Sequence, residues 1–285
     1  MAEQRAARTA GDGAPAAGQP LREGAPRVIV AGATGFAGAL AAQLLWRHPG
    51  FELAGVTGRA ETGRPLEELY PRYRVPLEVE ELDVSRLQGI DAAIVANPGC
   101  YPTAAVLGLA PLARAGLLGD VVVDAKQGIS GAGRVFDDTT HLSYAGENIV
   151  PYKVAEHRHT PEIEEQLALL GAKLPVQFQA HLVPLDQGEL ASCYVTPTRE
   201  IAAAELAELY REAYRDEPFV EVAASPPGTR EVCATNFCRI FAAADAHTGK
   251  VVVLSAIDNL WKGTSSQAVQ NLNVMYSLPE EEGLR

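Results

Sequence analysis

A short apolar run, Val28-Ile29-Val30-Ala31, leads straight into Gly32-Ala33-Thr34-Gly35-Phe36-Ala37-Gly38. Few patterns restrict a fold more. β-branched residues in an unbroken apolar run suit a strand buried on both faces of a parallel sheet. The glycines allow a tight turn, and Ala39 to Arg47 reads as a helix that His48-Pro49-Gly50 stops. A second strand follows at Phe51 to Val56. Strand, glycine-rich turn, helix and strand open a Rossmann-like dinucleotide-binding α/β domain, in which a pyrophosphate sits at the helix N-terminus. The spacing is G-x-x-G-x-x-G rather than G-x-G-x-x-G, and a tight turn with no ligand gives the same pattern. Gly32, Thr34, Gly35 and Gly38 are the candidate cofactor contacts. The second strand ends Gly55-Val56-Thr57-Gly58-Arg59, without the acid that an NAD ribose prefers. Arg59 could pair with a 2′-phosphate, which favours NADP; the alternative is a solvated surface charge.

Further along, residues 59 to 88 are polar and Pro-containing and read as less regular. A third short strand, Asp91 to Val95, runs almost at once into Asn97-Pro98-Gly99-Cys100-Tyr101-Pro102-Thr103, and Thr103 to Ala115 reads as a helix. Val121 to Asp124 is a strand that ends in the loop Gly128 to Arg134. Helical pattern recurs at Thr160 to Leu170, with Thr160 as cap and Pro161 in the first turn, and at Ala202 to Arg215. Strand-like segments lie at Gln177 to Leu182, Glu189 to Thr196, Phe237 to Ala244 and Lys250 to Ile257. Gly263 to Tyr276 reads as a terminal helix. The second half is therefore an α+β domain with a largely antiparallel sheet. Residues 27–100, completed by 258–285, read as the cofactor domain, and 101–257 as a second domain.

Composition bounds the function. The 285 residues carry a formal net charge of -12, which repels phosphate backbones and argues against nucleic acid as a partner. No apolar run is long enough to cross a bilayer. Residues 1–26 are rich in Ala, Gly, Arg and Pro and lack the apolar core of a secretory signal, so they read as a disordered tail; Arg5 and Arg8 leave an organellar transit peptide as the alternative. The chain reads as cytoplasmic. Cys100, Cys193, Cys233 and Cys238 make no dense framework, so free thiols are expected. Cys233 and Cys238 have no ligand pair nearby and read as buried structural thiols, and no metal site is expected.

Cys100 is the sharpest single residue. It precedes Pro102 and a long apolar helix, and positive potential at a helix N-terminus lowers a thiol pKa. On that basis it should react faster with iodoacetamide than the other three thiols. On position alone, catalysis and structure are both open.

Asn97 to Thr103 resembles the active-site signature of the N-acetyl-gamma-glutamyl-phosphate reductases. Other segments match in the same order: Gly32 to Gly38, Lys126 to Arg134, Asn148 to Tyr152, Glu156 to Ile163, His181 to Pro184 and Asn259 to Gly263. The resemblance runs from about Arg27 to the C-terminus. It implies an NADP-dependent enzyme of arginine biosynthesis that reduces an acyl phosphate to an aldehyde, and a homo-oligomer. The resemblance assigns Cys100 as nucleophile, forming a thioester as phosphate leaves. It assigns His159 as proton donor and acceptor, with His157 second, because histidine titrates nearest neutral pH. Ser130, Gly131, Gly133, Arg134 and Tyr152 are expected at the substrate, and Asn259 and Lys262 near the nicotinamide. Without the resemblance, Lys262 reads as a surface charge, and His181 reads as core.

The chain departs from the family's pattern in one place. Ile94-Val95 runs directly into Ala96-Asn97, where relatives carry roughly sixty further residues, the size of one or two βαβ units. The cofactor domain therefore reads as truncated. An inactive remnant, a sequence error and a compact variant covered by another subunit are the three explanations. The competing functions are a related acyl-phosphate reductase and an inactive binding or assembly protein.

Overall fold

A computed structural model describes residues 21–284 except 60, 84–86, 95, 96, 135–137 and 139. Residues 1–20 of the expected tail, and Val95 and Ala96 at the junction, lie outside the described residues. Residues 21–26, read as tail, instead rest on the fold: Arg22 N–H donates to Pro49 O and its guanidinium pairs with Glu282.

The first sheet holds β1 (Arg27–Ala31), β2 (Glu52–Thr57), β3 (Val79–Glu80) and β4 (Ala92–Ile94), all parallel, in the order β3-β2-β1-β4. That is the first part of the doubly wound strand order. Helix α1 (Phe36–Trp46) buries Leu40, Leu44 and Leu45 against it. Residues 61–83, read as less regular, are more ordered than their polarity suggests. A short helix α2 (Leu66–Leu69) and Tyr73, Val75 and Val79 all enter the same core. Their apolar residues follow neither a 2 nor a 3.6 period, which is why no element was legible there.

The second sheet has seven strands in the order β6-β7-β5-β8-β11-β10-β9. They are β5 (Leu118–Gly128), β6 (Val150–Tyr152), β7 (Val176–Val183), β8 (Glu189–Pro197), β9 (Val220–Val222), β10 (Cys238–Asp245) and β11 (Lys250–Ile257). Pairs β5·β7 and β9·β10 are parallel and the other four antiparallel. Along β5, Val121, Val123 and Ala125 face inward while Val122, Asp124 and Lys126 are only half-buried, the alternation of a sheet covered on one face. The cover consists of α3 (Cys100–Arg114), α5 (Thr160–Leu169) and α6 (Ala203–Ala213). A one-turn helix α4 (Leu142–Ala145) lies in the connection to β6.

The C-terminus returns to the first core. After β11 the chain makes a wide π turn at Trp261–Ser265 and then α7 (Ser266–Met275), where a regular helix from Gly263 was expected. Leu260, Val269, Leu272 and Leu284, joined by Phe219, pack with β1, β2 and α1.

Candidate active site

Helix α3 begins at Cys100 itself, three residues before the expected start, with Gly99 as an extended N-cap. Pro102 is tolerated because its missing N–H falls in the first turn, where helical N–H groups have no partner. Gly99 N–H donates to Glu162 Oε1 at 2.9 Å, and Thr103 Oγ1 donates to Gly99 O at 2.9 Å. The cysteine is thereby fixed at the junction of α3 with the sheet. Its thiol donates to Gln127 Oε1 at 2.9 Å. On the other side the π turn comes in so closely that a Cβ on Gly263 would lie 2.7 Å from Cys100 Cβ.

The thiol is not acidified. Burial, then the charge of Glu189 beside it, pushes the Cys100 thiol up. The helix N-terminus acts in the expected direction, but the loss of water outweighs it. A preferential reaction with iodoacetamide at neutral pH therefore does not follow. Cys193 and Cys238 are buried as well, whereas Cys233 is exposed, contrary to its reading as a core thiol.

The two histidines separate clearly. The His157 ring packs among Tyr101, Tyr152 and Phe178, and its Nδ1 accepts from His159 N–H at 3.1 Å, so it braces the loop. His159 lies against Gly99, the residue before Cys100: a Cβ at Gly99 would be 2.6 Å from His159 Nε2. Its Nδ1 is buried without a partner among the described residues. Burial lowers both to about 4, with the positive charge of Arg158 and Lys153 acting the same way. Both rings are then neutral at pH 7 and do not titrate near it as expected.

The start of the loop after β5 is knitted in, while residues 131–134 are exposed. Ser130 Oγ donates to Asp186 O at 2.6 Å and accepts from Asn259 Nδ2, while Asn259 Oδ1 accepts from Gly188 N–H. Ser130 and Asn259 thus hold two loops together. Gly131 makes room for Gln127: a Cβ there would lie 1.9 Å from Gln127 Nε2. Gly133 has φ +80 and turns the chain, and Arg134 beyond it reaches away from Cys100 to the glycine turn. Arg134 donates to Thr34 O at 2.9 Å and pairs with Glu61, with Tyr70 under its guanidinium. Tyr152 OH donates to Tyr101 OH at 3.2 Å. We expect Gly131→Ala to keep the fold, because only a flexible amide must move. Gln127 would be driven off Cys100, and kcat should fall by about tenfold to a hundredfold with little change in Tm.

Lys262 is buried, not a surface charge. Its Nζ donates to Gln270 Oε1 at 2.7 Å and lies 5.4 Å from the Phe219 ring centre. It lines a groove of ≈ 620 Å³ with Asn97, Pro98, Pro102, Phe219 and Gln270. Burial lowers its pKa to about 8. The unfolded chain therefore holds this proton up to higher pH than the folded one, so the penalty on the fold is full below pH 8 and fades as pH rises towards about 10.4. Lys262→Met should raise stability at pH 7 by roughly 1–3 kcal/mol and bring no gain near pH 10.5, read by urea unfolding at both.

The glycine turn fits a dinucleotide's adenosine half. Gly32 takes φ +80, its N–H and that of Ala33 donate to Thr57 O, and α1 starts with no side-chain cap. The first N–H groups of α1 are thus left for an anion. Beside the turn, β2 ends at Thr57 and is followed by Gly58 and an exposed Arg59, with no acid. A Cβ at Gly58 would lie 2.7 Å from the Thr34 side chain.

Gln127 and Glu189 were not singled out from sequence. Gln127 lies within the matching segment Lys126 to Arg134. Glu189 shares its face of β8 with Ala191, Cys193 and Val195, all 0% exposed, and a charge heading such a row was the available signal.

Comparison with known proteins agrees with this fold. The family model described as semialdehyde dehydrogenase, NAD binding domain, matches residues 27–139, and that described as semialdehyde dehydrogenase, dimerisation domain, matches 100–259. Among solved structures, aspartate semialdehyde dehydrogenase II from Vibrio cholerae superposes with TM-score 0.68 at 16% identity, over 88% of this chain and 98% of that one. The aspartate semialdehyde dehydrogenase from Francisella tularensis gives 0.66 at 12%, over 88% and 100%. Fold and site thus define the class, a semialdehyde dehydrogenase with an α/β cofactor unit and a mixed-sheet domain. The N-acetyl-gamma-glutamyl-phosphate reductase of Desulforudis audaxviator is 40% identical over 90% of this chain and 97% of its own. That of Brevibacillus brevis is 48% identical over 68% of this chain and 57% of its own. The chain belongs to the N-acetyl-gamma-glutamyl-phosphate reductase family. The Desulforudis alignment spans 339 residues, longer than the 285 present here, so that relative carries a stretch with no counterpart in this chain.

Proposed function

We propose that this chain catalyses the NADP-dependent reductive dephosphorylation of N-acetyl-L-glutamyl 5-phosphate to the 5-semialdehyde, with Cys100 as nucleophile. The observation that carries the reading is Cys100 at the head of α3, held between Gln127 and the Gly263 turn beside His159. The Cys100 sulfur attacks the acyl carbon, and phosphate leaves with the C–O electron pair and takes a proton from solvent. A thioester on Cys100 results. NADPH, when bound, supplies the hydride that reduces this thioester. The C–S bond then breaks, and aldehyde and thiolate separate. Neutral His159 suits a hydrogen bond to the acyl oxygen better than proton storage, since its proton affinity is too low at pH 7. An amide can accept from a thiol and, turned over, donate to a thiolate, which is the role we assign to Gln127.

Gly32, Thr34, Gly35, Gly38 and Arg59 would hold the adenosine half of NADP. Arg134, tied to Thr34, suits that half better than the substrate. Lys262 is the groove's cation for a phosphate or carboxylate. Residues 27–100 with 258–285 act as cofactor unit and 101–257 as catalytic unit, and the half-buried outer face of the seven-stranded sheet suits a second copy of the chain. No described helix is long and apolar enough to cross a membrane, and a cytoplasmic enzyme is the reading we keep. Similarity over nearly the whole length of relatives with this name favours the activity over a related acyl-phosphate reductase or an inactive remnant. The test is the reverse reaction: N-acetylglutamate semialdehyde, phosphate and NADP, followed by NADPH absorbance. Phosphate-dependent turnover is expected, and none from folded, monodisperse protein would refute the activity.

A further inference from the structure

Glu189 opens β8 and is 0% exposed. In the sheet it stands between Gln127 of β5 and Ile257 of β11. Neither carboxylate oxygen has a hydrogen-bond partner among the described residues. Cys100 lies beside it, and the other titratable groups that feel its charge are Tyr101 from α3, Tyr152 from β6, Cys238 from β10 and Asp258 after β11. None of them is a cation. A buried carboxylate with neither counter-charge nor donor is strongly disfavoured, and a glutamine or leucine would sit there at less cost. Such a group is retained where it exchanges a proton.

Its partner for that exchange is the Cys100 thiol. The carboxyl lies beside the sulfur. At rest the S–H is aimed at Gln127 Oε1 instead, which is why Glu189 has no bond of good geometry although the two groups interact. Rotation about the Cβ–Sγ bond redirects the hydrogen from one to the other.

We propose that Glu189 is the catalytic residue that stores the Cys100 proton. The thiol gives its proton to the Glu189 carboxylate, leaving a thiolate and a neutral carboxylic acid. The thiolate attacks the acyl carbon, phosphate departs, and Glu189 remains protonated while the thioester exists. After reduction and C–S cleavage the liberated thiolate takes the proton back. No proton is gained or lost by the pair over the cycle. Burial pushes Glu189 up to about 8, so the carboxylate that accepts the thiol proton is present once the pair loses its first proton near that pH, and the acid then keeps it, as His157 and His159 at about 4 cannot. The proposal rests on the reading of Cys100 as nucleophile.

The test uses the free protein and needs neither substrate nor cofactor. Iodoacetamide labelling of the Cys100 peptide is timed by mass spectrometry from pH 6 to 10 in wild type, Glu189→Gln and Glu189→Asp. With a shared proton, wild-type labelling rises to a shoulder near pH 8, where the pair first becomes singly charged and the thiolate can form. Glu189→Gln should lose the shoulder and label at least about tenfold more slowly at pH 8, one pKa unit's worth of thiolate. Glu189→Asp should keep the shoulder at lower amplitude. If Glu189→Gln instead labels faster at every pH, Glu189 merely repels the thiolate and the proposal is overturned. The same holds if all three profiles coincide. Turnover is measured separately, so a failure of the assigned activity shows up as absent NADPH formation and not as a change in these profiles.

Discussion

Replacing Cys100 with alanine should lower phosphate-dependent NADPH formation by about 10⁴-fold or more while leaving the fold intact. The activity falls because the acyl group then has no sulfur to bond to. Loss of the nucleophile removes the whole two-step route, not one contribution to it. The fold survives because only one heavy atom is deleted, at a point where Gln127, Glu189 and Gly263 close in from three sides. The cost should be about 1 kcal/mol. Stabilisation by NADPH should persist, since the glycine turn is built from β1, α1 and β2 and does not include Cys100. Initial rates, Tm and the NADPH-induced shift in Tm check the three statements together. Residual turnover above about 1% of wild type would mean that the acyl phosphate is reduced without a thioester on Cys100.

What could be read in the sequence depended on how local its cause was. Strand β1, its turn and α1 were legible because apolar runs, glycines and a stop at His48-Pro49-Gly50 act over a few residues. Cys100 drew notice because a cysteine between Gly99 and Pro102 at a helix start is unusual, but position alone left catalysis and structure open and the resemblance chose between them. Its pKa was misjudged, since a helix N-terminus is local while burial under β5, β8 and the Gly263 turn is not. Without the resemblance Lys262 read as a surface charge for the same reason: Phe219 and Gln270, which enclose it, come from distant or later segments. Arg134 was placed at the substrate by its loop, but its guanidinium crosses to Thr34, a hundred residues earlier. The missing stretch was legible as an absence after Ile94, yet not what the remaining chain does about it.

That adjustment concerns the sheet edge and its cover. The doubly wound order has two more strands beyond the fourth, and here the described sheet stops at β4, three residues long. So short an edge offers little to a strand of another molecule. The apolar faces of β1 and β2 are nevertheless buried, because α7, Leu260 and Phe219 complete their core from the far end of the chain. The adenosine side of the proposed cofactor site, which needs only β1, β2 and the turn between them, is thus intact. Beyond it, Asn97, Pro98 and Lys262 line one groove.

That intact half makes Gly38 the most sensitive position outside the reacting centre. A Cβ there would lie 2.2 Å from Gly32 O, 2.7 Å from Gly32 C and 2.9 Å from Ala33 Cα. All three are backbone atoms, so no side chain can turn aside. Nor can the turn retreat: Gly32 and Ala33 both donate to Thr57 O, and Gly32 already needs φ +80. Gly38→Ala must therefore push α1 off the sheet. We expect a loss of about 3 kcal/mol or more, a large share of the ~5–15 kcal/mol that holds a domain together. For a chain of this size that lowers Tm by roughly 6–12 °C. The N–H groups at the start of α1 move with the helix, so saturating NADPH should no longer raise Tm. Gly35→Ala supplies the comparison: its Cβ would meet Gly32 O at 3.5 Å, an ordinary contact, at φ -85 where alanine is unstrained. Its Tm should stay within about 3 °C of wild type. Equal losses in the two variants would mean that the helix start is generally intolerant and that the Gly38–Gly32 approach does not set the geometry of the turn.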